Sequence, residues 1–338
     1  MFNGQWSIFN ANYPLLTFLK NWTLPLAIVA GIIAYFTYTA IPALNTPGIR
    51  HAVMSTLNVA QLMLIFAMLF ITFCKISIRD LRLTRWHAPL LLLQTLSFIV
   101  GAWILTTMGN PQHALILESF MLCLICPTAT AAVVVTAKLG GNTGTLATYT
   151  ILINLAVAII VPLIVPLIHP ELHTASADAS FFSSFLVIIM KVFPLLMGPL
   201  ILALITRRVC PRVARAIASV PDLAFYLWAV SLAMAIAVSV KALMSSHIQP
   251  PVIAAIAGVS ALACVLQFAF GRFMGRRYGE PVSAAQACGQ KNIILGIWIG
   301  YTFLNPVTAL AGGFYSIWHN IYNSWQLRQQ RLRHPTTH

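Results

Sequence analysis

The chain has 338 residues, of which 59% are hydrophobic and only 8% charged, and its mean hydropathy is +0.85. Soluble domains carry about 25% charged residues. The deficit extends along the whole chain, which excludes a globular domain with a single anchor and leaves a polytopic membrane protein. A formal net charge of +14 would suggest a nucleic-acid partner in a soluble protein, but the positions of the charges say otherwise.

The first 23 residues carry Trp6, Phe9, Tyr13 and Phe18 and no basic leader. They read as an interfacial segment and not as a cleavable signal, because aromatic rings favour the headgroup level. At about 20 apolar residues per span, ten spans follow, at 24–43, 52–74, 88–107, 115–137, 145–168, 181–205, 223–243, 251–270, 282–303 and 306–326. Lys75, Arg79, Arg82 and Arg85 follow span two, and Arg207, Arg208, Arg212 and Arg215 follow span six. Arg272, Arg276 and Arg277 follow span eight, and Arg328, Arg331 and Arg333 close the chain. Sixteen of the 20 basic residues fall on one side; Arg50 and Lys241 lie on or near the other, and Lys191 and Lys291 lie within spans. This is the positive-inside pattern, so both termini are expected in the cytoplasm, with the protein multi-pass in the cell inner membrane. The surplus charge is a topology signal with anionic lipid as its natural neighbour, and no nucleic-acid partner is expected.

Ten spans divide into five plus five, and an odd-numbered unit duplicated in tandem inserts its second copy upside down. The expected fold is therefore an all-α membrane protein of ten transmembrane helices in two inverted repeats, 24–168 and 181–326. An outer linker at 169–180 with Glu171 and Asp178 joins them, and a basic tail at 327–338 follows. Span four contains Cys126-Pro127-Thr128-Ala129-Thr130. Span nine, its counterpart, contains Pro281 and Ala287-Cys288-Gly289-Gln290-Lys291-Asn292. Paired Gly/Pro-broken spans at matching places are the best sequence pointer to a transporter's binding site. An ammonium at membrane depth costs about 3 kcal/mol on the insertion scale, so Lys291 marks a pathway. Pro127 and Gly289 are the expected breaks. Pro162, Pro166, Pro194 and Pro199 read as ordinary kinks.

Span four with its exit loop, from Cys126 through Gly141-Asn142, resembles the bile acid:sodium symporter family. Gly289 and Asn292 match that family's Glu-x-Gly-x-Gln-Asn pattern, and Ser316-Ile317-Trp318-His319-Asn320-Ile321 is close to its Ser-x-Trp-His-Asn-Ile. The resemblance covers most of the chain. It implies ten helices in a panel and a core domain, crossing of the broken fourth and ninth helices, and sodium-driven uptake of organic anions. The departures matter as much. Ala132 and Val133 stand where the family has a Ser-Asn pair of sodium ligands, Ala287 where it has Glu, Lys291 where it has Gln, and Leu146 where it has Ser. Thr150 is retained, and Gln94 matches a further ligand with one residue of gap. A hard cation wants several oxygen ligands, so a site stripped of its carboxylate is not expected to hold sodium.

Lys291 offers three donors and no acceptor, and the negative end of a half-helix favours a cation. The expectation is that its tethered charge substitutes for sodium. Two consequences stay open: an uncoupled carrier, or one in which Lys291 releases a proton during the cycle. Thr128, Thr130 and Asn292 are the expected substrate contacts, with Asn154, His319 and Asn320 behind them, and a carboxylate or sulfonate is the expected substrate class. Glu118, the one acid well inside a span, reads either as a proton carrier or lysine partner or as a residue near the outer interface. Cys123 and Cys126 form a C-x-x-C without a second pair or nearby His, so they read as core-filling residues, and no cofactor or metal is expected. An intramembrane enzyme would need paired carboxylates or a nucleophile with its base, and only six acids exist, mostly in loops. The alternatives are a sodium-coupled symporter with a remodelled site or a non-transporting sensor on the same fold.

Overall fold

Prolines set the starts of many helices in this chain. Pro47, Pro111, Pro211, Pro250 and Pro281 each occupy the first turn of a helix. There the missing N–H costs nothing, and the fixed φ favours the first helical residue. The computed structural model describes residues 14–76, 78–169, 181–220, 223–246 and 248–333. It is almost entirely helical, with no named strand among the described residues.

The helices in order are α1 (Pro14–Ala40), α2 (Pro47–Lys75), α3 (His87–Thr107), α4 (Pro111–Ile125), α5 (Ala132–Lys138), α6 (Thr143–Ile168) and α7 (Phe181–Val209). After them come α8 (Pro211–Ser219), α9 (Leu223–Ser245), α10 (Pro250–Arg277), α11 (Pro281–Gly289), α12 (Ile293–Phe303) and α13 (Ala309–Arg333). Six of these, α2, α3, α6, α7, α9 and α10, are long and apolar enough to cross a membrane. The apolar part of α1, Pro25–Ala40, together with α4 and α12, is apolar but shorter.

Differences from the expected spans have local causes. Spans four and nine are each split in two: α4 from α5 by residues 126–131, and α11 from α12 by residues 290–292. Helix α1 begins at Pro14 and so absorbs the second half of the expected interfacial segment; residues 1–13 lie outside the described residues. The expected outer linker falls on 170–180, also outside them apart from His169. Helix α13 continues to Arg333, well past the expected end at 326, and 334–338 are not described. The stretch after span six, expected to be a loop, contains α8, whose Ala214 is buried while Arg212 and Arg215 are exposed. Pro162, Pro166, Pro194 and Pro199 all sit inside continuous helices.

Two packing groups emerge. Helices α1, α2, α7 and α9 form one, through α1 on α9, α2 on α9 and α2 on α7. In the other, α3 packs on α4 and α6, and α10 packs on α4, α11 and α13. Contacts of α6 with α7, and of α12 and α13 with α9, join the groups. Gly271 and Gly275, one turn apart on α10, let α11 approach closely. A Cβ on Gly271 would stand 2.9 Å from Ala285 Cα, and one on Gly275 would stand 2.8 Å from Pro281 Cα. Small residues at i and i+4 serve backbone approach in this way throughout membrane helix packing.

Basic residues gather where α2, α7 and α10 end. Arg207 Nη2 donates to Cys74 O at 2.9 Å and Lys75 Nζ to Val220 O at 3.3 Å, tying two of those ends together. On this basic face Glu280 precedes α11. Its carboxylate accepts from Trp86 Nε1 at 3.0 Å, from Thr145 Oγ1, and from Asn142 Nδ2 at 3.3 Å. Asn142 in turn caps α6 by accepting from Gly144 N and Thr145 N. The starts of α3, α6 and α11 are thereby joined, with a carboxylate at helix N-termini where the dipole favours it.

Candidate functional site

The two helix breaks meet. Residues 126–129 and 290–292 run extended, and Thr128 and Lys291 form an isolated antiparallel bridge. Ala129 N donates to Gln290 O at 2.8 Å, and Asn292 N donates to Pro127 O at 2.8 Å. Proline explains one side of this pattern. Pro127 cannot continue α4 because it lacks an N–H and disfavours the helical conformation at Cys126.

A helix end leaves carbonyls without intrahelical partners, and here side chains from elsewhere supply them. At the end of α4, Leu124 O accepts from Lys291 Nζ at 3.1 Å, and Cys123 O accepts from Gln267 Nε2 at 3.2 Å. At the end of α11, Ala287 O accepts from Thr128 Oγ1 at 2.6 Å, and Gly289 O accepts from Tyr315 Oη at 2.7 Å. Asn292 caps α12, its Oδ1 accepting from Leu295 N at 3.3 Å, while Asn292 O accepts from Cys126 Sγ at 3.0 Å. The ends of α4 and α11 therefore bring carbonyl-bearing, partly negative termini to the crossing, and α12 brings an amide-bearing, partly positive one.

Lys291 is only 1% exposed. The acids among the described residues are engaged or placed elsewhere. Glu118 Oε1 accepts from Asn305 N at 2.6 Å and its Oε2 lies 3.1 Å from His169 Nε2. Glu280 holds the basic-face cluster, and Asp80 is exposed in the loop after α2. The Lys291 side chain is thus held by a helix-end carbonyl, Leu124 O, and not by a carboxylate.

The expected site residues divide. Thr128, Lys291, Asn292, Pro127 and Gly289 come together at the crossing. Gln94 lies beside it, with Nε2 at 3.4 Å from Gln267 Oε1 and 3.5 Å from Cys288 O. His319 stacks edge-on to Tyr315, ring centroids 5.6 Å apart. Thr130 is half-buried in the turn entering α5. The others turn their bonds inward along their own helices: Thr150 Oγ1 to Leu146 O at 3.0 Å, Asn154 Nδ2 to Thr150 O at 2.8 Å, and Asn320 Nδ2 to Ser316 O at 2.7 Å. Glu118 pairs with a histidine and a backbone amide at the far end of α12, so it is not the partner of a lysine.

Sequence reasoning passed over Gln267 and Tyr315. Gln267 is fully buried and donates to Tyr315 Oη at 3.1 Å as well as to Cys123 O. A single amide in an otherwise apolar stretch of α10 was its only signal. Gly289 has a packing reason: a Cβ there would stand 2.6 Å from Phe268 Cδ1. Among the described residues, no group of three His, Cys, Asp or Glu is placed to hold a metal.

Between the two packing groups, beside α12, lies a cavity of about 20 Å³. Its lining includes Asn58 and Gln61 of α2, Met234 of α9, and Trp298 and Tyr301 of α12. Gln61 Nε2 also donates to Ser231 Oγ of α9 at 2.9 Å. The chain matches no known family model and no curated protein.

Proposed function

We propose that this chain is a secondary-active, alternating-access transporter of small organic anions, similar to bile acid:sodium symporters, in which Lys291 stands in for the coupling sodium ion. One observation carries this reading: the bridge between Thr128 and Lys291, with Lys291 Nζ on the Leu124 carbonyl. Irregular backbone at membrane depth is tolerated only where protein or a water-lined cavity surrounds it. Discontinuous helices of this kind form the central sites of transporters.

Ten transmembrane helices in two inverted repeats underlie the proposal, and the packing pattern supports them. Taking α1, α2, α3, α4–α5 and α6 as one half and α7, α9, α10, α11–α12 and α13 as the other, several contacts recur in matched pairs. Packing of α1 on α9 answers α7 on α2, α3 on α4 answers α10 on α11, and α3 on α6 answers α10 on α13. Likewise α5 on α6 answers α12 on α13, and α4 on α13 answers α11 on α6. The basic loops favour an inner-membrane protein with both termini in the cytoplasm.

In this scheme the group of α1, α2, α7 and α9 moves against the rest, and the cavity beside α12 is the closed remnant of the substrate crevice. At the crossing, the N-terminal amides of α12 favour a carboxylate or sulfonate. Ala287 supplies no carboxylate beside Lys291, and Lys291 Nζ satisfies a carbonyl at the end of α4 in place of an ion. A thermal-shift screen of small carboxylates and sulfonates, in sodium and in choline, tests the reading, because a ligand bound only by the folded state raises Tm. Each hit is then followed by counterflow in proteoliposomes. Exchange without sodium is the expected result; binding that requires sodium, or binding without exchange, overturns it.

A further inference from the structure

One face of α13 is polar in a helix otherwise packed among apolar neighbours. Tyr315, His319, Asn323 and Gln326 recur at intervals of four, four and three, which places them in one row. Tyr315 reaches Gly289 at the crossing, and Gln286 of α11 reaches Asn323 Oδ1 at 2.9 Å and Gln326 Oε1 at 2.8 Å. The row therefore runs antiparallel along α11, from the crossing toward the basic face, with His319 between the two contacts.

Gln286 is fully buried, and Gln290, His319 and Asn323 are each no more than 5% exposed. Yet Gln286 Oε1, Gln290 Oε1, His319 Nδ1 and Asn323 Nδ2 find no hydrogen-bond partner among the described residues. Buried polar atoms are nearly always paired, and each one left alone costs about 1–3 kcal/mol. Amide orientation does not remove the deficit. Turning Gln286, Asn323 and Gln326 together keeps their mutual bonds and merely exchanges which atom of each amide is left over.

We propose that the space between α11 and α13 holds a file of water molecules leading from the crossing toward the basic face. The mixture of unpartnered groups selects water over an ion. A cation would face the N–H of Asn323, and an anion would face the Gln286 amide oxygen, whereas water donates and accepts at once. Bridging waters are nearly as favourable as direct bonds, and buried waters commonly make about three such bonds. The inference stands on the row of side chains and does not depend on the transport reading.

Labelling of the full-length protein reconstituted in lipid tests it. Asn323→Cys and Ala284→Cys are compared in a Cys210→Ser background, which removes the exposed native thiol. The reagent is a small, water-soluble cationic methanethiosulfonate. Asn323→Cys is expected to react about tenfold faster than Ala284→Cys, since thiol reactivity follows water access. Equal rates overturn the proposal. Hydroxyl-radical footprinting of the unmodified chain in H2 18O gives a second measurement that needs no variant. His319 is expected to take up 18O at several times the rate of fully buried Phe98, after correction for intrinsic reactivity. Labelling of His319 no faster than that of Phe98 would remove the water file.

Discussion

Thr128 and Lys291 face each other across the crossing, and each side chain satisfies the end of the other's helix. Lys291, just after α11, donates to Leu124 O at the end of α4; Thr128, just after α4, donates to Ala287 O at the end of α11. Neither break has this partner without the other, so the two half-helix pairs stand or fall as one unit. Thr128→Val keeps the shape and removes the donor, leaving Ala287 O buried without it. The expected loss is about 1–3 kcal/mol, while Thr128→Ser retains most of the stability. Thermal unfolding of both variants checks this, and a loss in Ser with none in Val would show that the methyl group and not the hydroxyl matters.

The cation at the crossing leads to a second prediction. If the Lys291 ammonium occupies the place of sodium, sodium should leave the Tm of the unmodified chain where choline leaves it. The double variant Ala287→Glu/Lys291→Gln introduces a carboxylate and an amide oxygen of the kind a hard cation needs. Its Tm is expected to rise with sodium, following the mass-action dependence of a bound ligand. A sodium-dependent shift in the unmodified chain contradicts the substitution.

Much of this crossing is legible in the sequence because the physics that breaks a helix is local. Pro127, and the run Gly289-Gln290-Lys291-Asn292, interrupt apolar stretches at places a single chain reveals, and both breaks occur within a few residues of where they are expected. What the sequence does not contain is direction. Asn154, Thr150 and Asn320 are polar residues in apolar helices, like Thr128, yet each is bonded within its own helix. Whether a hydroxyl or amide turns to its own i−4 carbonyl or to a neighbour depends on what packs opposite, which periodicity does not encode. Gln267 illustrates the reverse: an isolated amide in α10 becomes a donor to the crossing only because α10 lies against α4 and α13. Helix α8 was hidden for a related reason, since its two arginines read as loop charge when they are the exposed side of an amphipathic turn.

Gly289 is a packing residue. Its φ is not in the left-handed region, and what it requires is room beside the Phe268 ring, which a Cβ would meet 2.6 Å from Cδ1. Gly289→Ala is expected to cost about 1–3 kcal/mol through overpacking. Phe268→Leu in the same chain should recover a large part of that, because the ring is what the methyl group strikes. Denaturant unfolding of the single and double variants measures the coupling. Additive losses would mean that the two residues do not oppose each other.

Glu280 joins the starts of α3, α6 and α11, and its role is separable from that of Lys291. Its carboxylate accepts from Trp86, whose side chain is fully buried, and from Thr145 and Asn142. Glu280→Ala removes all three acceptor contacts and leaves the indole N–H buried without a partner, for an expected loss of about 1–3 kcal/mol. Glu280→Gln keeps one carbonyl oxygen and is expected to fall between the two. Because the hydrogen bonds at the crossing come from Thr128, Lys291, Gln267 and Tyr315 and not from this cluster, neither Glu280 variant is expected to gain a sodium-dependent Tm shift. Appearance of a sodium-dependent Tm shift in Glu280→Ala would mean that the basic-face cluster, and not the Lys291 ammonium, excludes the ion.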